Sequence, residues 1–112
     1  MSILVIRQHA RYAVCRKAQL ARPDSKAVGG LLVELSVHGC RLGSIDERRF
    51  TLDETVTLKI PGFDGFEGQV RWVGDGVVGL RFRNPFHTAA LERLIRACRG
   101  ETQREAPLRA YA

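Results

Sequence analysis

Long apolar runs are missing from this sequence. The opening Met-Ser-Ile-Leu-Val-Ile is cut off at Arg7, far short of the ~18 to 20 apolar residues that a membrane span needs. It shows neither a basic leader nor a small-residue cleavage site, so membrane insertion and export are not expected and a cytoplasmic location is. Cysteine is sparse: Cys15, Cys40 and Cys98 are odd in number, widely separated, and form neither Cys-x-x-Cys nor a zinc-like spacing with histidine. Reduced thiols buried as small hydrophobes in the core are the expectation. His9, His38 and His87 also lack metal spacing, and exposed or locally bonded imidazoles are expected. No carboxylate pair, phosphate-cradling glycine loop or triad-like arrangement emerges, so no catalytic residue, metal or cofactor is expected and the chain does not read as an enzyme. Aromatic residues make up only 7%. Phe66, Trp72 and Phe82 fall at alternating positions that suit a core, which leaves few of the stacking faces that single-strand nucleic-acid binders expose.

What is present suits one small domain. The chain has 112 residues, 45% of them apolar, enough for a single core without disulfide or metal support. Eighteen Lys and Arg against twelve Asp and Glu leave a formal charge of +6, which attracts phosphates, nucleic acid or anionic membranes without choosing among them.

Strand-like runs separated by turn residues occupy most of the sequence. Residues 12–20 form the first, followed by a turn at Arg22, Pro23, Asp24 and Ser25. Residues 28–35 form the second, and the short run 40–42 is joined to it through Ser36 to Gly39. From Asp53 the alternation of Thr55, Val56, Thr57, Leu58, Lys59 and Ile60 turns Val56, Leu58 and Ile60 to one side of a sheet, and Pro61-Gly62 ends that strand. Residues 66–73 and 77–82 flank Gly74-Asp75-Gly76, a hairpin signal. The period then changes: Leu91, Leu94, Ile95 and Cys98 fall at i, i+3, i+4 and i+7, one face of a helix ending at Gly100 that covers the barrel. The expected fold is mainly β, a six-stranded antiparallel β-barrel with a C-terminal helix, since closure removes vulnerable sheet edges. The expected organisation is an N-terminal segment over 1–11, the barrel and helix over 12–99, and a flexible tail over 100–112. No internal repeat is visible.

Two separated motifs narrow the function. Arg7-Gln8-His9-Ala10-Arg11 precedes the first strand, and Glu34-Leu35-Ser36-Val37-His38-Gly39 ends the second. Together they resemble the PilZ family, in which RxxxR is followed by (D/N)xSxxG on a six-stranded barrel that in many members binds cyclic di-GMP. Gly68-Gln69-Val70-Arg71-Trp72-Val73 and Gly79-Leu80-Arg81-Phe82 look like that family's closing strand pair. The resemblance spans about residues 6–99. Either motif alone is weak, and their order around the strands, the Trp-containing hairpin and the helix carries the likeness.

The resemblance implies a cyclic di-GMP receptor or adaptor, and the chemistry agrees. A guanidinium can grip phosphate oxygens or the guanine O6/N7 edge in bidentate fashion, and can stack on a base. Arg7 and Arg11 would form that clamp, with segment 1–11 folding over the ligand at some cost in affinity. Ser36 can donate and accept, a carboxylate at Glu34 would accept from guanine N–H groups, and Gly39 would let the backbone turn under the ligand, where a side chain would collide or φ would be positive. Glu34 departs from the expected Asp or Asn. Its extra methylene moves the carboxylate by about one bond length, enough to disturb a hydrogen bond that needs ~2.7 to 3.1 Å. Beside the ligand role, Glu34 reads as an exposed carboxylate paired with a nearby Arg. His38 and Trp72 stand at the ligand's possible periphery, Trp72 being expected first as core. Arg71, Arg81 and Arg83 are expected on a solvated outer face, widening the positive field. Ile6 supplies no guanidinium for a second molecule, which favours one ligand over a stacked pair.

The implied partners are cyclic di-GMP and an unidentified output protein, in motility, exopolysaccharide synthesis or biofilm formation. Two other readings stand beside this one. A degenerate PilZ domain without ligand binding would act as a protein-protein interaction adaptor, as Glu34 suggests. A small basic barrel for single-stranded nucleic acid suits the charge but not the aromatic content, and no specific nucleic-acid partner is expected.

Overall fold

Alternation of apolar residues builds the elements that a computed structural model describes over residues 10–99. Strands β1 (Tyr12–Arg22), β2 (Ser25–Leu35), β3 (Gly39–Gly43), β4 (Thr55–Lys59), β5 (Phe66–Gly74) and β6 (Val77–Phe82) precede helix α1 (Thr88–Cys98). A short 3-10 turn, Glu47–Arg49, separates β3 from β4. The strands close in the order β1-β2-β3-β6-β5-β4, and every neighbouring pair is antiparallel. The expected six-stranded barrel with its terminal helix is therefore the observed fold. Arg7, His9 and residues 100–112 lie outside the described residues.

Leu20, Leu32, Leu35, Leu42 and Leu58 are completely buried inside the barrel with Val56, Val70 and Val78. Each such side chain contributes roughly 1.5 to 3 kcal/mol by leaving water. An interior filled in this way leaves function to the outer wall.

Several boundaries differ from the sequence reading. β1 and β2 run through Arg22 and Ser25, which face each other as Cα partners and leave only Pro23 and Asp24 as the turn. Cross-strand pairing holds these polar ends in the sheet where hydrophobic pattern alone would stop them. At the β5–β6 connection Asp75 and Gly76 both have positive φ (54° and 75°), the backbone of a two-residue type I′ hairpin. Cys40 and Cys98 are buried as expected, but Cys15 is exposed. Its neighbour Val14 points into the barrel, so strand alternation turns Cys15 outward.

Helix α1 buries Leu91, Leu94, Ile95 and Cys98 against the barrel. Its N-terminus is capped by His87, whose Nδ1 accepts from the Ala89 N–H at 3.3 Å. At the other end Arg16 donates to the Ala97 carbonyl (3.3 Å), and Arg99 Nε donates to the Ala13 carbonyl (2.8 Å). The helix is thus fastened to the start of β1, two residues after Arg11.

Candidate ligand-binding groove

The groove begins with a tight turn between β2 and β3. The Ser36 N–H donates to the Gly39 carbonyl at 2.9 Å, and the Gly39 N–H donates to Ser36 Oγ at 3.1 Å. Ser36 Oγ also lies 3.2 Å from the Gly39 carbonyl, as donor. Ser36 therefore spends its hydroxyl on closing the turn. Of the two reasons expected for glycine at this position, φ is not positive, whereas a side chain would collide, pressing into the Leu80 carbonyl of β6. Close approach of two strands requires glycine there.

A register shift in β2 between Leu32 and Glu34 makes Glu34 the Cα partner of Arg41. Leu35 and Cys40 beside them point into the core, so Glu34 and Arg41 share the outer face. Glu34 Oε1 lies 3.5 Å from Arg41 Nε, the pairing anticipated for this carboxylate.

A second shift, between Val70 and Trp72 in β5, corrects the expected core position of Trp72. Val70 is fully buried, whereas Trp72 is 56% exposed. The bulge inserts Arg71 into the alternation and turns the indole outward. Trp72 faces Gly79 across the strands, and a Cβ on Gly79 would come within 3.2 Å of Trp72 Cβ. Gly79 is therefore the bare floor that lets the indole lie against the sheet.

Arg11, Glu34, Ser36, His38, Gly39 and Trp72 all line one cavity of about 310 Å³. Every sequence-derived candidate within the described residues is thus gathered at one place, and Arg7 lies outside them. The same cavity adds Arg41, Arg71 and Arg81, which sequence reasoning had left on a general outer face or had not singled out. Their signal was present in the alternation: Arg41 stands two residues after Gly39, on the face opposite to Cys40 and Leu42. Arg71 bonds Asp53 at 3.1 Å, and Arg11 and Arg81 have no ion-pair partner among the described residues. Four guanidinium groups, two of them paired with Glu34 and Asp53, leave an excess of positive charge along the described lining. Such a wall, with an exposed indole beside it, can grip phosphate oxygens and stack a planar base.

Among the described residues the groove's cysteine is not an activated nucleophile. Burial, then the neighbouring Cys98 and Glu34, push the Cys40 thiol well above the usual thiol range, so the sulfur stays protonated and unreactive. Among the described residues no cluster of His, Cys, Asp and Glu could hold a metal ion, and no helix is long and apolar enough to cross a membrane.

A closed antiparallel barrel with an arginine-lined outer groove defines a small binding domain. The PilZ domain family model matches residues 6–100, and the chain belongs to that family. The family is one of cyclic di-GMP receptors and adaptor domains. Comparison with curated proteins found no match.

Proposed function

We propose that this domain is a cyclic di-GMP receptor whose ligand seats in the groove between the Ser36–Gly39 turn and Trp72. The observation that carries this reading is the gathering of Arg11, Arg41, Arg71 and Arg81 around a cavity bordered by an exposed indole. Guanidinium groups match both chemical parts of the ligand, its phosphates and its guanine edges. Arg11 grips from the start of β1, and Arg7 joins it as segment 1–11 folds over the bound dinucleotide. That rearrangement changes the surface offered to an output protein, and a difference of ~1 to 3 kcal/mol between conformers suffices for such coupling. No reaction is required.

Calorimetric titration of the purified protein with cyclic di-GMP tests this, with GTP and a short oligonucleotide as controls. Selective binding that is abolished in Arg7→Ala/Arg11→Ala supports the receptor. Saturating ligand without heat at several temperatures rejects it. The Glu34–Arg41 pair favours one other reading, an adaptor that no longer binds the dinucleotide, and that second result would select it.

A further inference from the structure

A second concavity, of about 760 Å³, lies on the barrel wall and shares no lining residue with the arginine groove. Missing side chains create it. On its floor Ala18 faces Gly30 and Gln19 faces Gly29 across β1 and β2. β4 pairs with β1 only at Gln19, Leu20 and Ala21. Beyond Lys59 the chain turns away through Pro61 and Gly62, whose φ is +91°. That departure opens a trough walled by Leu31 on one side and by Pro61 and Phe63 on the other. Arg16 holds the far wall in place by donating to the Pro61 carbonyl at 3.1 Å.

Two features decide what fits. Lys17 and Lys59 are the charged residues along the trough, both exposed, and neither has an ion-pair partner among the described residues. A largely apolar trough, whose uncharged polar side chains are Gln19 and Ser44, flanked by two uncompensated ammonium groups complements an apolar segment that carries carboxylates. Among the described residues no strand pairs with β1 on its β4 side before Gln19, and the end of α1 is fastened beside Ala13 and Arg16 there, so the floor and its lysines carry the docking. We propose that this trough docks an acidic, apolar peptide segment of a partner protein. The output of the domain is then taken from a wall distinct from the arginine groove, and β2 is common to both sites.

A displayed library of random short peptides, panned against the full chain, provides the probe. Enriched peptides are expected to combine Asp or Glu with apolar residues. Gly29→Trp tests the trough directly, because a Cβ at Gly29 meets nothing within 4 Å; the indole fills the floor without displacing the barrel. Lys17→Glu/Lys59→Glu, at two exposed positions, provides an independent variant. Each is expected to weaken the selected peptides roughly tenfold or more, while Trp72→Ala leaves their affinity unchanged. Loss of cyclic di-GMP binding alone would bear on the arginine groove and not on this proposal. Peptides that bind Gly29→Trp as tightly as wild type, basic peptides indifferent to lysine reversal, or no enrichment would overturn it. So would a homodimer in sedimentation that Gly29→Trp dissolves, since the trough would then belong to a second copy.

Discussion

Glu34 and Arg41 face each other as Cα partners across β2 and β3, with their side chains 3.5 Å apart on the wall of the arginine groove. The carboxylate, one methylene longer than an Asp at this position of the Asp-or-Asn motif, lies beside the guanidinium and offsets part of its charge. A ligand phosphate that approaches Arg41 also meets the negative charge of Glu34. The pair is partly exposed, so its own contribution to fold stability is small, ~0 to 1 kcal/mol. Its expected effect is on binding. Glu34→Gln is expected to raise cyclic di-GMP affinity roughly tenfold, the scale of ~1.4 kcal/mol, with the unfolding midpoint unchanged. Parallel calorimetric and urea titrations check this. Equal affinities for the two proteins would mean that Arg41 is not used.

Gly39 is required by the barrel itself. A methyl group at this position collides with the Leu80 carbonyl, which is backbone of a paired strand and cannot swing aside. Gly39→Ala is therefore expected to destabilise the protein by ~1 to 3 kcal/mol, the scale of overpacking, seen as a lower urea midpoint. A midpoint equal to wild type would show that β3 and β6 separate freely, and the glycine would then need a ligand-based explanation.

Most of the barrel was legible because its strands obey the simplest rule in a sequence, alternation, as in Val56, Leu58 and Ile60. The helix was legible from Leu91, Leu94, Ile95 and Cys98 for the same reason at a different period. The candidate groove was legible as far as its motifs reached: Arg11, Glu34, Ser36 and Gly39 do line one cavity. What could not be read depends on register. Trp72 continues the inward series of Val70 in the sequence, and only the bulge at Arg71 turns it out. The opposition of Glu34 to Arg41 likewise rests on the shift after Leu32. Bulges are set by how two strands meet, so a single strand's pattern does not reveal them.

The three cysteines divide by exposure, and that division sets both reactivity and pH response. Cys15 is exposed, and Cys40 and Cys98 are buried. A thiol reagent such as Ellman's is expected to label Cys15 rapidly in the folded protein and the other two only after denaturation. Burial pushes the Cys98 thiol up to about 11 from an ordinary 9.0, against the opposing pull of Arg16. An unfolded chain releases this proton sooner than the folded one. The stabilisation is complete below pH 9 and is lost as pH rises from 9 towards 11, and Cys40 acts in the same direction. Urea midpoints measured across that window should fall, and should fall less in Cys98→Ala. A flat profile in the wild type would remove burial of the thiols as a contributor.

Trp72 is the sole tryptophan of the chain, which makes it both a candidate contact and its own reporter. More than half of its surface is exposed, so Trp72→Ala gives up little buried area and is expected to change stability by less than ~1 kcal/mol. Loss of a stacking face for a base should cost ~1 to 3 kcal/mol of binding, read as a weaker cyclic di-GMP titration. In the wild type the same stacking should change indole fluorescence as ligand is added. Gly79→Ala separates position from presence: the new methyl group comes within 3.2 Å of Trp72 Cβ, lifting the indole from the sheet while leaving it in the protein. A weakened titration in Gly79→Ala, with fluorescence that no longer responds to ligand, would place the base against the indole. Full affinity in both variants would instead move the ligand towards Arg11 and Arg41 and leave Trp72 as part of a protein-facing surface.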